Sequence, residues 1–314
     1  MALRSYHVLR QLAKRYDVDA LFFLREGDPT QMPLEDRLAH LRELAEVEHF
    51  RIPGERSSVR HWWDQLRSVA TRRSETRWRY DDRSFRRRVL ELAFQRDPRV
   101  IHVDSIALHA HLPLLTGRTV ALAHHRPESE HLRLQAELSE GRHAHYLERQ
   151  AEWLEQVERL WIPRVSANIV TSARDRTELL RLAPDARVET VPAAVDTRHF
   201  TPAAGTGHGL AFVGGAATPA SRDALEYFAT DILPRLRRAS GVQTLEPISW
   251  VGGARAGDRE RYRERGIDIT GYVEDIRPIV RPAACYIVPR RVAGGSTRIL
   301  QAWAMGKAVV STSV

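Results

Sequence analysis

Only one cysteine, Cys285, stands in the 314 residues, so no disulfide can form within the chain and a reducing compartment suits it. Lysine is nearly missing too. Lys14 and Lys307 are the only two among 48 basic residues, which leaves 46 arginines. Such an imbalance reflects GC-rich coding at least as much as a binding surface, which weakens the case that a net charge of +8 makes for a polyanionic partner. No recognition motif accompanies the charge, and no nucleic acid is expected. Apolar runs of about 18 residues are also absent, so no spanning helix is predicted. The first residues, MALRSYHVLRQLAKRYD, are too polar for the apolar segment of a signal peptide. These absences point to a cytoplasmic location, with any membrane contact confined to the inner surface.

What the sequence does hold is alternation. Residues 5–16 carry apolar positions at helical spacing, and VDALFFL then reads as a buried strand. Charged, helical segments are expected up to about residue 97, broken near Pro53-Gly54. RVIHVDS, TVALAHH, SANIVTS and ARVETVP read as strands, with one long helix over 128–162 and a capping box from Ser172 to Asp175. The stretch 193–209 has no periodicity and is loaded with Ala, Gly, Thr and Pro, which marks a linker. It divides a domain over 1–192 from one over 210–314, where strand and helix alternate again. This spacing predicts an α/β chain with a Rossmann-like parallel sheet in each domain. The final AVVSTSV reads as a doubly covered parallel strand, and the chain opens on a helix. Both features are those of a chain trimmed at its ends, with an incomplete C-terminal domain.

The chemistry concentrates in turns. Gly294, Gly295, Ser296 and Thr297 lie between an apolar strand and an amphipathic helix. Free N–H groups and the dipole at a helix start suit an anion, and Arg298 adds a fixed charge. FVGGAATP lacks the dinucleotide fingerprint, and AMGKAV lacks the hydroxyl of a Walker loop. Residues 60–89 interleave arginines with Trp62, Trp63, Trp78 and Tyr80. That region reads as a solvated amphipathic helix or as a face for an anionic membrane. Eight histidines crowd residues 102–145, including two His-x-His pairs, and Asp104 can join them at a metal. No H-E-x-x-H spacing supports that alternative, a His-based metal hydrolase, and no metal is expected.

The motifs LAFVGGAATP, WVGGARAG, GIDITGYVEDIRPIV and VAGGSTRILQAWAMGKAVVSTSV, in that order, resemble the donor domain of family-four glycosyltransferases with the GT-B fold. The similarity is nearest to bacterial exopolysaccharide-type sugar transferases. HRPESEHLRL at 125–134 and VETVPAAVDTRHFTP at 188–202 resemble that group's N-domain segment and hinge. The resemblance implies two Rossmann-like domains facing across a cleft. It also implies a nucleotide-diphosphate sugar donor, a polysaccharide or lipid-linked glycan acceptor, and no metal or other cofactor. In that family's pattern His125 faces the reacting sugar, and Glu128 lies in the same segment. Gly214 and Gly215 form the phosphate-proximal turn, and Thr270, Gly271 and Val273 contact the base through backbone. Gly294, Gly295, Ser296, Thr297 and Arg298 hold the diphosphate, and Gln301 meets the ribose.

Departures accompany the match. The family's pair of glutamates is replaced by Ala293 and Gln301, and the hinge's Asn-Gly by Ala193-Ala194. Its usual cation near FVGG is missing, with Arg222 as the nearest substitute. Gln301 can still bond ribose hydroxyls, but without the charge-assisted bond a glutamate makes. The expected function is a glycosyltransferase, and the alternative that these departures support is a sugar-nucleotide-binding protein without turnover.

Overall fold

The computed structural model describes residues 3–25, 33–53, 58–202, 207–239, 245–291 and 297–313. The chain divides into two compact units, one of residues 1–136 and 141–192, the other of residues 137–140 and 193–314.

In the first unit, strands β1 (Asp19–Leu24) and β2 (Glu46–Arg51) pair in parallel. A second, four-stranded parallel sheet runs in the order β3 (Ile101–Val103), β4 (Val120–Ala123), β5 (Ala167–Val170), β6 (Val188–Thr190). Leu122 and Val103 bury against Ile106 and Leu112 of the turn that follows β3. Val170 and Val188 pack on Leu179 and Leu182 of helix Ala173–Leu182. Phe23 of β1, Phe50 of β2 and Phe85 of helix Arg83–Gln95 form an aromatic cluster around His111.

In the second unit a five-stranded, all-parallel sheet runs β11 (Ala308–Ser311), β10 (Cys285–Val288), β7 (Leu210–Val213), β8 (Ile248–Val251), β9 (Ile267–Gly271). Alternate residues of its strands feed two cores. Phe212, Ile248, Trp250 and Ile287 point into one; Ala211, Val213, Val251, Tyr286 and Val288 into the other. A parallel strand covered on both faces needs apolar residues at every position, hence the unbroken runs LAFV and CYIV.

The predicted α/β class with parallel sheets holds in both units. Three local expectations fail. EVEHFR, placed within a helical region, is strand β2, because its period-two alternation pairs it with β1. The helix expected over 128–162 is two helices, Glu128–Glu137 and Gly141–Trp161, separated where Gly141 takes φ +60°. Ser172 caps its helix by accepting from the Asp175 amide at 3.1 Å, but the Asp175 carboxylate accepts from the Thr171 and Ser172 hydroxyls instead of closing the box. Strand β11 lies at the edge of the described sheet, with Ala308, Val310 and Ser311 exposed. Nearby, the helix expected around Arg222–Ala239 starts earlier, at Pro219. It widens by a residue per turn over Phe228–Ile232, just before Pro234, which has no N–H to give the preceding turn.

Candidate functional site

Strand order locates the site in the second unit. The chain steps from β7 outward through β8 to β9, then returns to lay β10 on the other side of β7. At such a reversal, neighbouring connections leave the sheet on opposite faces and open a crevice beyond the carboxyl ends of the two central strands. Val213-Gly214-Gly215 ends β7, and Val288-Pro289-Arg290 ends β10.

The Gly214-Gly215 turn has a specific backbone reason. Both amides donate to the Val251 carbonyl at 2.9 Å, and Ala216 donates to Gly253 at 2.7 Å. The Trp250 indole N–H, fully buried, donates to the Gly215 carbonyl at 2.8 Å. Gly215 has φ +64° and Gly252 φ +132°; a Cβ on Gly252 would lie 2.6 Å from the Gly215 backbone, and one on Gly215 would lie 2.6 Å from the Gly253 carbonyl oxygen. Two glycine turns pack back to back, and the amides expected to face phosphate are already bonded to carbonyls.

Charge at this crevice comes from side chains. The Arg290 guanidinium stands over the Phe212 ring at 5.9 Å and close to Gly214, whose Cβ position is 3.1 Å from Nη2. Tyr286, buried on β10, donates its hydroxyl to the Val213 carbonyl at 3.4 Å. Burial pushes its pKa up to about 12, opposed by the Val213 backbone and by the positive charges of Arg298 and Arg290. Arg298, in helix Thr297–Ala304, donates to Gln301 Oε1 at 2.9 Å.

Other expected residues are placed differently. Gly294, Gly295 and Ser296 lie outside the described residues, and Thr297 opens the described part of the last helix. Gln301 is 2 % exposed, and its carbonyl is engaged by Arg298. Arg222 donates to the carbonyls of Ala216 at 3.3 Å and Ala217 at 3.2 Å, bracing the turn after β7. Thr270 and Gly271 end β9. The Gly271 carbonyl accepts from Gly252, and that of Thr270 from Arg259 at 3.4 Å. Val273 packs partly buried against the second core.

The first unit gathers a second group at the carboxyl ends of β3 and β4. Asp104 follows β3, with His125 Nε2 and His102 Nε2 each 3.5 Å from its oxygens, and the Ser5 hydroxyl donates to it. Burial works to raise the Asp104 carboxyl, but bonds from His102, His125 and Ser5 outweigh it and hold the group well below the usual carboxylate range. His124, 1 % exposed, contacts Asn168 Oδ1 at 3.0 Å. The Asn168 amide nitrogen donates to Ile162, so His124 Nε2 carries the proton, and burial drops its pKa to about 4. Glu128 begins the following helix, its carboxyl raised by burial against the lowering influence of Arg126 and His125. Beneath that helix lies Glu158, fully buried, accepting from the Glu128 amide at 2.9 Å, the Ser129 amide at 3.3 Å and the Ser129 hydroxyl.

The remaining clustered histidines disperse: His109 meets the Ile106 carbonyl, His111 that of Tyr80, and His131 the side chains of Arg126 and Gln135. Among the described residues no three of His, Cys, Asp and Glu are placed to hold a metal. Sequence reasoning missed Arg290, Glu158 and the pairing of Asp104 with His125. The available signals were an arginine directly after a central strand and an acid directly after β3.

Residues 207–314 match the family model described as glycosyl transferases group 1. No curated protein matches the chain. Among solved structures, sucrose-phosphate synthase from Thermosynechococcus elongatus is 13 % identical with a TM-score of 0.64, over 99 % of this chain and 75 % of that one. TarM is 12 % identical with a TM-score of 0.52, over 73 % of this chain and 44 % of that one. At such identities the likeness is one of fold, and the chain has the α/β, parallel-sheet architecture of GT-B glycosyltransferase structures.

Proposed function

We propose that the protein is a glycosyltransferase that moves a sugar from a nucleotide-diphosphate sugar to a glycan or lipid-linked acceptor, of the kind used in bacterial exopolysaccharide synthesis on the cytoplasmic side. The observation that carries this reading is the strand reversal inside the matched domain, with Arg290 at the end of β10 standing over Phe212 of β7 and Arg298 in the helix that follows. A leaving diphosphate is a concentrated dianion, and two guanidinium groups can chelate it and stabilise the charge that builds up as the glycosidic bond breaks. Protein cations then supply what a metal would otherwise provide. In this reading Thr270 and Gly271 at the end of β9, with the partly buried Val273, would contact the nucleotide base.

His125, oriented by the Asp104 carboxylate, would contact the reacting sugar or acceptor from the first unit. A neighbouring carboxylate fixes the imidazole tautomer and stabilises the imidazolium if the ring takes a proton. Glu128, its carboxyl raised by burial, is the second candidate for proton transfer.

A second reading, binding without turnover, is favoured by Gln301, which is buried and bonded to Arg298 where the family pattern has a ribose-binding glutamate. Calorimetric titration with UDP- and GDP-sugars, with and without EDTA, combined with a turnover assay, separates the two. Binding indifferent to EDTA together with transfer or slow donor hydrolysis supports the transferase. Binding with no turnover supports the second reading, and no binding of either nucleotide overturns both.

A further inference from the structure

Helix Ser58–Thr71 is built inside out. Its outward face carries Val59, Trp62, Trp63, Leu66 and Val69, which are 66, 56, 50, 44 and 52 % exposed. At 100° per residue these positions fall within about 120° of the helix surface. The inward face is polar: Asp64 is 1 % exposed and Ser68 is fully buried. Asp64 pairs with Arg60 at 3.1 Å, and Ser68 donates to the Arg73 carbonyl and accepts from Gln150. A helix on a globular surface normally turns its apolar stripe inward. Here polar bonds hold the opposite side down, leaving a contiguous apolar face in water, the mark of an interaction surface.

The surroundings of that face are cationic. Val69 also lines a cavity of about 790 Å³ together with Arg72, Arg142, Arg149, His145 and Trp153. Arg72 and Arg142 pair with no acid among the described residues, whereas the nearby acids are engaged, Glu152 with Arg149 and Glu75 with Tyr146 and His61. Arg67 lies over the Trp78 ring at 5.7 Å.

We propose that this face docks on an anionic bilayer, with Trp62, Trp63 and Leu66 entering the interfacial zone and Arg72 and Arg142 taking lipid phosphates. The layering fits one occupant. Paired tryptophans belong at headgroup depth, an apolar stripe lies in the plane of the interface, and unpaired arginines beside it match phosphate. A second copy would instead bring like charges together.

The test uses the full chain with phosphatidylcholine vesicles, with and without phosphatidylglycerol. The protein is expected to sediment only with the anionic vesicles, less so at high salt, with a blue shift of tryptophan emission. Changing Trp62, Trp63 and Leu66 to Ser should abolish binding while leaving the far-UV circular dichroism spectrum that of a folded chain, because the three side chains are about half exposed and lie outside the buried cores. Arg72→Ala and Arg142→Ala should each weaken vesicle partitioning about fivefold. Absence of binding to anionic vesicles, equal binding to both vesicle types, or unchanged binding by the serine variant overturns the proposal. So does a concentration-dependent dimer lost in the serine variant without any vesicle binding, which assigns the face to a second copy.

Discussion

The buried Glu158 gives the sharpest quantitative test of the packing around the first unit's polar group. It sits under helix Glu128–Glu137 with no solvent access, and burial pushes its pKa from 4.5 up to about 7 despite the bonds from Ser129 and Glu128. A folded-state pKa above the unfolded value means that the native protein binds the extra proton. Stability is therefore full below pH 4.5 as far as this group is concerned and declines as pH rises from there through about 7, after which the loss levels off. A shift of this size corresponds to about 3 kcal/mol. Glu158→Gln keeps the shape and an acceptor for both amides, and its NH₂ can donate to the Ser129 hydroxyl, but it never ionises. Wild type and variant should be nearly equal in Tm at acid pH. The variant should be more stable at pH 8 by about 3 kcal/mol, on the order of 6–12 °C. Thermal unfolding followed by circular dichroism across this range decides the matter. Parallel curves for the two proteins, or a variant that loses ground as pH rises, would refute the reasoning.

Three further outcomes are expected. Gly252→Ala should destabilise the second unit by about 2–3 kcal/mol in a urea titration, since the new Cβ meets the Gly215 backbone and φ is positive. Arg298→Ala should weaken calorimetric binding of a nucleotide-diphosphate sugar about 10- to 100-fold, the loss of a charge-assisted contact, while Arg222→Ala, which removes only bonds to loop carbonyls, changes it far less. Asp104→Asn and His125→Asn should each lower turnover about 10²- to 10⁴-fold with donor affinity within about twofold of wild type, because both residues belong to the first unit; a parallel loss of donor binding counts against their assignment.

The periodicity of the sequence by itself determined most of the layout. Unbroken apolar runs such as LAFV and CYIV demand strands covered on both faces, and helices spaced between them demand parallel sheets. The motif order in residues 207–314 resembled the family whose model matches those residues. Strand β2 was legible only as a short alternation inside a charged region, too weak to see without its partner β1. What tertiary structure alone decided is which ends meet. The return of β10 to the far side of β7 sets Arg290 over Phe212, although no motif marks that arginine. The adjacency of β3 and β4 sets Asp104 against His125, 21 positions later in sequence. An amphipathic pattern fixes that helix Ser58–Thr71 has two unlike faces, but not which one turns inward. That choice was made on the polar side: Asp64 is paired with Arg60 of its own helix, and Ser68 accepts from Gln150 of the helix beneath, because polar groups removed from water must find partners.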